Sequence, residues 1–341
     1  MNLVKHDLSR LSDLTQLAKS TYASGEIISE DYLNWEYNQN PEGRALVLVA
    51  DNGKEIVSQY LVIPKNYVFE SKIIAGALSL NTITHPGYRG QGYFTKLAEL
   101  TYIECEKKGI NFTIGFPNAN SVGGFLSKLK FKEIGRLPLL IKVINPSSAF
   151  FNFLFKSNSQ VESEIELMKI SQLSNFSKLD LIADGSKYLS FWNKFKTKNC
   201  ITTDRTIDYL KWRYVDIPFR KYHLFKFSKN DEIVGIIVIR LKNIMGVRCG
   251  ILVEHLALNN EISANKLINE IKRSKLDLII ATVPMISNEQ IILRNAGFFK
   301  VPDFLMFKKL HMVIRRHNDN ISDSFNDFKK WFITFGDYDI F

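Results

Sequence analysis

The residue pattern with the clearest chemical meaning is the glycine-containing segment Arg89-Gly90-Gln91-Gly92-Tyr93. It follows an apolar stretch of strand length (78–84) and a turn (85–88), and it precedes an amphipathic stretch (93–108) with helical spacing of its apolar residues. Glycines let consecutive backbone N–H groups face a ligand without a Cβ between them. The start of a helix adds partial positive charge. This order therefore predicts a binding site for a pyrophosphate group.

Two other phosphate-binding motifs are absent from the sequence. Neither GxxxxGK[ST] nor GxGxxG occurs, so the segment is not a Walker loop or a dinucleotide fingerprint. The segments that must position the loop alternate between strand and helix patterns, with a break expected at Gly76 and another at Pro138. The predicted helices cover 29–37, 93–108 and 121–130, and the predicted strands cover 45–50, 55–63, 72–84, 112–116 and 131–144. A further helix-like stretch covers 322–333.

The chain contains an internal repeat. The segment DYLNWEY at 31–37 recurs as DYLKWRY at 208–214, an offset of 177 residues, and further along the offset is 167, which aligns Pro117 with Pro284. The second copy is ten residues shorter between these matches, and residues 254–276 there contain no glycine. We therefore predict two copies of one mixed α/β fold, of which only the first keeps the glycine loop. The repeated Leu and Trp side chains are expected to pack in each core.

Length, charge and cysteine usage narrow the functional classes. The predicted domains are 1–145, a linker at 146–163, and 164–341. The net charge of +10 comes from scattered lysines and arginines, which favours a solvated surface over a nucleic-acid footprint. The three cysteines, Cys105, Cys200 and Cys249, have no zinc or disulfide spacing and suit a reducing cytoplasm. No apolar run reaches the roughly 18 residues needed to span a bilayer. We expect no metal site and no stable membrane insertion. The expected location is the cytoplasm, and the two alternatives for the oligomeric state are a monomer and a homodimer.

In this order of segments the sequence resembles the GCN5-related N-acetyltransferase superfamily (GNAT), over about residues 30–142. The family motif Arg/Gln-x-x-Gly-x-Gly/Ala is matched by Arg89, Gly92 and, imperfectly, Phe94. The resemblance implies two tandem GNAT-like mixed-sheet domains, the second without the coenzyme A loop. It also implies acyl-coenzyme A as donor, as acetyl-CoA or 3-hydroxybutyryl-CoA.

The resemblance assigns cofactor contacts to two segments. Backbone groups of the loop would hold the pyrophosphate, and backbone groups near the end of the preceding strand would hold the pantetheine arm. These residues are Arg89, Gly90, Gln91, Gly92, Tyr93 and Phe94 in the loop, and Leu80, Asn81 and Thr82 in the strand.

The sequence departs from the family pattern at three places. Phe94 replaces a small residue, Lys130 stands where glycine is usual, and Phe125 and Leu126 occupy the positions where the family often has a proton-donating tyrosine. A thiol as acidic as a free cysteine, with a pKa of about 8.5, leaves without strong assistance.

Three side chains are candidates for catalysis. Asn118 and Ser121 follow the predicted strand 112–116 and could orient the thioester or the amine. The alternative is that Asn120 or Ser121 caps the next helix. His85 could act as a base through water, or could be structural.

The repeated segments, the FPN strand end and the tail FGDYD look most like bacterial sugar N-acyltransferases of surface-polysaccharide pathways. The predicted function is acylation of the amino group of a nucleotide-linked amino sugar, such as a dTDP-3-amino-3,6-dideoxyhexose, in lipopolysaccharide O-antigen synthesis. The alternatives are acetylation of another small amine such as an aminoglycoside, a non-catalytic acyl-CoA sensor, and a nucleic-acid binder.

Overall fold

The computed structural model describes residues 1–119, 121–155, 176–198, 200–258, 276–283, 288–304, 306 and 309–338. The chain forms two compact units, and each unit is made of three separate stretches of the sequence. The first unit comprises 1–136, 208–220 and 308–330, and the second comprises 137–207, 221–307 and 331–341. Each unit has one mixed sheet, which confirms the predicted mixed α/β class. The linear boundaries at 145 and 163 stay a prediction about the two sequence copies.

The first unit is built on a sheet of strand order β1-β2-β3-β4-β5-β15-β6. Its strands are β1 (Asn2–Lys5), β2 (Leu46–Asp51), β3 (Ile56–Phe69), β4 (Lys72–Thr84), β5 (Phe112–Gly115), β6 (Lys132–Leu137) and β15 (Leu310–Arg316). Its helices are α1 (Leu11–Lys19), α2 (Glu30–Leu33), α3 (Tyr93–Lys107) and α4 (Val122–Lys128). Only β4 and β5 are parallel among the pairs β1-β2, β2-β3, β3-β4, β4-β5 and β5-β15.

The second unit repeats this plan with the strand order β14-β7-β13-β12-β11-β10-β8. Its strands are β7 (Leu140–Val143), β8 (Phe176–Lys178), β10 (Tyr222–Lys229), β11 (Glu232–Ile244), β12 (Val247–Ala257), β13 (Leu278–Ala281) and β14 (Phe299–Lys300). The two-residue strand β9 (Thr202–Thr203) lies between β8 and β10 in the sequence and is not part of this sheet. Its helices are α5 (Pro146–Phe155), α6 (Gly185–Phe195) and α8 (Asn288–Asn295). Here β12 and β13 form the parallel pair.

The two halves of the sequence exchange strands. β7, from the first half, pairs with β13, whereas β15, from the second half, pairs with β5. The predicted strand 131–144 is therefore two strands in different sheets, separated at Pro138, whose missing N–H cannot continue a ladder. Helix α7 (Ile207–Tyr214) also lies largely in the first unit.

The two repeated tryptophans pack on each other within the first unit. Trp35 Nε1 donates to the Trp212 carbonyl oxygen at 2.7 Å, and Trp212 Nε1 donates to the Trp35 carbonyl oxygen at 3.0 Å. Their rings stack with centroids 4.9 Å apart and planes 17° apart. Both side chains are buried, so each indole N–H needs the partner that the other copy supplies. The tryptophans pack in a core as predicted, but Trp212 lies in the core of the first unit and not in that of its own copy.

Several element boundaries differ from those predicted. β4 runs unbroken through Gly76, because a glycine is required where the Phe112 and Tyr67 rings lie against the strand. The stretch 29–37 is a short α-helix followed by the π-helical turn Asn34–Asn38. The predicted helix at 322–333 is two 3-10 turns, Asp323–Asn326 and Phe328–Lys330. The predicted linker begins with α5, and its residues 156–163 lie outside the described residues.

Gly76 gives a direct test of packing against β4. A Cβ at Gly76 would lie 2.7 Å from a Phe112 ring carbon and 2.8 Å from a Tyr67 ring carbon. We expect Gly76→Ala to lower the free energy of unfolding by about 1–3 kcal/mol in urea titrations, because overpacking displaces buried rings. The control is Gly123→Ala in α4, where a Cβ would meet nothing within 4 Å. It should stabilise by about 0.5–1 kcal/mol. An unchanged Gly76→Ala variant would contradict this description of the strand.

Candidate functional site

The glycine loop has the geometry of an open backbone cradle. A 3-10 turn, Pro86–Tyr88, precedes it, and Gly90 and Gly92 have φ angles of 79° and 80°. A Cβ at Gly90 would meet nothing within 4 Å, so the space beside the backbone is open. Only glycine adopts this left-handed region without strain. Helix α3 begins at Tyr93, directly after the loop.

Backbone amides of the loop are available to a ligand. The Arg89 amide donates to the Pro86 carbonyl oxygen at 3.4 Å, and the next donating amide is that of Lys96, to Gly92 at 3.1 Å. Within the described residues, the amides of 90–95 donate to no protein acceptor. The first amides of any helix lack intrahelical partners. Here they join the loop amides at the positive end of α3, which is the arrangement that binds anions.

Strands β4 and β5 separate beside this loop. Their parallel ladder has four pairs, beginning at Gly76 with Phe112 and ending at Ser79 with Gly115. β5 ends there, whereas β4 continues to Thr84. The last five residues of β4 therefore have no partner on β5. These residues include Leu80, Asn81 and Thr82, the segment that the sequence predicted to hold the pantetheine arm.

A β-bulge lies in this unpaired part of β4. The ladder with β3 shifts register between Gln59 and Leu61, and Asn81 has a φ of 46°. The Asn81 side chain donates to Glu36 Oε2 at 2.6 Å and to the Tyr37 hydroxyl at 3.1 Å. Gln59 Nε2 donates to the Asn81 carbonyl oxygen at 2.8 Å. These contacts fix the bulge on the side of α2.

Two polar atoms at the bulge lack protein partners in the described part of the chain. Gln59 Oε1 and Thr82 Oγ1 are both buried and accept or donate no hydrogen bond there. A buried polar atom without a partner costs about 1–3 kcal/mol. A ligand with amide groups along this strand would satisfy such atoms, so the residues present fit a pantetheine arm.

The predicted catalytic side chains bond locally. Asn118 is exposed, and its Oδ1 accepts from the Ser121 amide at 3.2 Å and from the Ser121 hydroxyl at 3.2 Å. These bonds close the turn before α4, which is a capping role. Asn120 lies outside the described residues. His85 Nδ1 accepts from the Gly87 amide at 3.2 Å and so caps the 3-10 turn. The roles of all three in chemistry stay predictions.

The departures from the family motif have structural reasons. The Phe94 ring packs against Tyr60 at 5.9 Å and Phe125 at 5.9 Å, and Gly124 leaves room for it. The helix start is therefore kept. Phe125 is buried and Leu126 is partly exposed, so neither supplies a proton donor. Arg89 is exposed, and its Nε donates to the Thr84 carbonyl oxygen at 3.3 Å.

Sequence reasoning missed a chain of hydroxyl groups beneath α3. The Ser79 hydroxyl donates to the Tyr60 hydroxyl at 2.9 Å, which lies 2.6 Å from the Tyr102 hydroxyl. Burial raises the pKa of Tyr60 to about 12 and also raises the pKa of Tyr102, so both phenols stay protonated at neutral pH. Tyr60 and Ser79 are polar residues in apolar strand patterns, which is the signal that could have identified them.

Other side chains give no sign of chemistry. Burial raises the pKa of the Cys105 and Cys249 thiols to about 12 and of Cys200 to about 11, which argues against nucleophilic roles. No group of His, Cys, Asp and Glu among the described residues could hold a metal ion. No described helix is both long and apolar enough to cross a membrane. A cavity of about 650 Å³ lies at the opposite end of β4, beside Ala75 and Gly76, and touches none of the predicted site residues.

A family model matches most of the first copy. Residues 9–132 match the model described as an acetyltransferase (GNAT) domain. This part of the chain is therefore similar to a GNAT acetyltransferase domain. The match covers the glycine loop, the bulge and the separated strands, and it ends just before the strand exchange. No curated protein matches the sequence.

Solved structures resemble the fold of nearly the whole chain. A GCN5-related N-acetyltransferase from Anabaena variabilis has 12% identity and a TM-score of 0.65, over 93% of this chain and 73% of that one. A conserved protein from Enterococcus faecalis, described as a probable N-acyltransferase, has 9% identity and a TM-score of 0.66, over 92% and 72%. Saccharomyces cerevisiae N-myristoyltransferase with bound myristoyl-CoA has 10% identity and a TM-score of 0.60, over 97% and 83%. At these identities the likeness establishes the fold.

Lys130 allows a test of the segment after α4. It has a φ of 56°, in the left-handed region that costs an L-residue about 1–2 kcal/mol. We expect Lys130→Gly to raise the free energy of unfolding by about 1 kcal/mol. Lys128→Gly, inside α4, is the control and should lower it by about 1 kcal/mol. Equal effects of both variants, measured in urea, would refute the assigned backbone conformation.

Proposed function

We propose that this protein is an acyl-coenzyme A-dependent N-acyltransferase that acylates the amino group of a nucleotide-linked amino sugar. The observation that carries the proposal is the row of unpartnered amides at 90–95, placed at the positive end of α3 beside the separated strands β4 and β5. A pyrophosphate needs several donors converging on one anion, and this loop provides them. The similar structures include a probable N-acyltransferase and a complex of N-myristoyltransferase with myristoyl-CoA, which agrees with this class.

In the proposed complex, the loop from Arg89 to Phe94 holds the pyrophosphate through its amides, and the backbone at Leu80–Thr82 holds the pantetheine arm. The thioester would then lie where β4 leaves β5. Fixing both reactants in one geometry accounts for several kcal/mol of rate acceleration. Hydrogen bonds to the developing negative oxygen would add to it. Asn118, Ser121 and His85 remain candidates for orienting the thioester or the amine.

The identity of the acceptor rests on the sequence. The repeated segments and the C-terminal tail resemble sugar N-acyltransferases of surface-polysaccharide synthesis, and the net charge of +10 is compatible with two diphosphate-containing ligands. A dTDP-3-amino-3,6-dideoxyhexose is the proposed acceptor class. The tail residues 339–341 lie outside the described residues. The proposed location of the reaction is the cytoplasm, where acyl-CoA and nucleotide sugars occur.

A thiol-release assay tests the function. Purified protein is mixed with acetyl-CoA or 3-hydroxybutyryl-CoA and with a panel of dTDP-amino sugars, aminoglycosides and simple amines. Release of free thiol with the nucleotide sugars alone supports the proposal. Release of thiol with aminoglycosides would show that the acceptor is an aminoglycoside and not a nucleotide-linked sugar. Tight binding of coenzyme A without release from any amine would favour a sensor, and steeply salt-dependent binding of DNA or RNA would favour a nucleic-acid binder.

The loop makes a separate prediction about affinity. Gly90 and Gly109 have φ angles of 79° and 73°, and a Cβ on either would meet nothing within 4 Å. Alanine at either position should therefore cost a similar backbone strain of about 1 kcal/mol. We expect only Gly90→Ala to weaken coenzyme A binding, by about tenfold in calorimetry, because it disturbs the cradle. Equal affinities of the two variants would rule out the loop as the pyrophosphate site.

A further inference from the structure

We infer that the hydroxyl chain Ser79-Tyr60-Tyr102 stabilises the thiolate that leaves when the thioester is cleaved, with Ser79 as the group that contacts the sulfur. The inference rests on the proposed function and deepens it. In the reaction, the amine nitrogen forms a bond to the carbonyl carbon and loses one proton to water, and the C–S bond breaks with its electron pair going to sulfur. The sulfur then carries negative charge that a hydrogen-bond donor would stabilise.

The position of Ser79 is the first argument. Ser79 is the last residue of β4 that pairs with β5, opposite Gly115, so it marks the point at which the strands separate. Its side chain is 6% exposed, at the edge of the core, whereas Tyr60 is fully buried behind it. An acyl group bound between the separated strands would end near this point.

The second argument is that the α4 side chain beside Gly115 carries no hydrogen-bond donor. Phe125 approaches Gly115 so closely that a Cβ there would lie 3.3 Å from its ring. The α4 side chain nearest the Ser79–Gly115 pair is therefore an aromatic hydrocarbon. The hydroxyl nearest the separation point is that of Ser79, and its next partners in the core are also hydroxyls.

The positive charge beside Tyr102, at the buried end of the three hydroxyls, supports hydrogen-bond donation from Tyr102 toward the sulfur. The Arg315 guanidinium lies over the Tyr102 ring, 4.4 Å from its centroid. His317 lies beside the same ring at 5.2 Å and, because burial lowers its pKa to about 4, it is neutral. Cys105 is likewise neutral through burial. The Arg315 cation at the Tyr102 end favours donation away from it, from Tyr102 to Tyr60, to Ser79 and to sulfur.

The chain reverses direction to act in this way. In the structure Ser79 donates to Tyr60. Hydroxyl protons rotate to suit their partners. When negative charge develops on sulfur, each hydroxyl can donate outward, and the three bonds strengthen one another in a medium of low dielectric constant. The phenols stay protonated, so no proton has to leave the chain.

The second copy shows that the fold does not require these hydroxyls. β11 and β12 pair as β3 and β4 do, and Leu252, opposite Ala281, is the last residue of β12 paired with β13, as Ser79 is on β4. The residue equivalent to Tyr60 at the offset of 177 is Ile237, which is also fully buried. The copy without a glycine loop thus has apolar residues at both positions. At these two equivalent ladder positions, hydroxyl side chains occur in the copy for which a coenzyme site is proposed and apolar side chains occur in the other.

The test measures the pKa of the thiol of bound coenzyme A, from the ultraviolet absorbance of the thiolate during a pH titration of the saturated complex. We expect Ser79→Ala to raise that pKa by about one unit relative to the wild type, because one hydrogen bond to the thiolate is lost. Tyr60→Phe should raise it by a smaller amount. Turnover of Ser79→Ala should fall at least tenfold.

Two further variants separate this role from packing. Ser79→Thr keeps the hydroxyl and should restore the wild-type thiol pKa. Ser58→Ala removes a hydroxyl that is not part of the Ser79-Tyr60-Tyr102 series and lies 2.8 Å from the Thr84 hydroxyl. This variant should leave the thiol pKa unchanged.

An unchanged thiol pKa in Ser79→Ala would overturn the inference while leaving the proposed function intact. The same holds if Ser79→Thr behaves like Ser79→Ala. Failure of the wild type to bind coenzyme A would instead overturn the proposed function.

Discussion

The candidate site depends on one local mismatch between neighbouring strands. β5 supplies only four residues to the parallel ladder, whereas β4 extends five residues beyond it. The bulge at Asn81 lies in this extension and is held by hydrogen bonds from the Asn81 side chain to Glu36 and from Gln59 to the Asn81 carbonyl oxygen. Because the ladder ends at Ser79, backbone and side-chain groups beyond that residue lack strand partners on one side. The glycine loop, the open cradle and the hydroxyl chain all take their positions from this separation.

The balance of polar and apolar residues differs between the two copies at equivalent ladder positions. Gln59, Tyr60 and Ser79 of the first copy correspond to Ile236, Ile237 and Leu252 in the second. The second copy instead buries Arg205, which bonds Glu254 at 2.9 Å and Asp337 at 2.9 Å. A buried ion pair with its hydrogen bonds satisfied is costly to open. Glu254 lies on β12, so the second unit has a buried ion-pair network on the strand that corresponds to β4.

The elements that sequence predicted well are those with local signals. The positive φ angles of Gly90 and Gly92 and the helix start at Tyr93 follow from residue type and spacing alone. The bulge at Asn81 could not be predicted, because its cause is contact with Glu36 and Gln59, which are distant in sequence. The hydrogen bond that Glu36 accepts from Asn81 could not be predicted for the same reason. The local residue pattern could not predict that residues 131–144 divide between two sheets. The strands involved in this exchange, β13 and β15, come from the second half of the chain.

The exchange of β7 and β15 has a consequence for how the chain can be divided. A fragment ending before Pro146 would carry β7 without β13 to pair with, and its own sheet would lack β15 between β5 and β6. The complementary fragment would have the reverse defect. Each fragment alone would expose unpaired strand edges, which promote aggregation. The two halves of the sequence therefore depend on each other to complete their sheets.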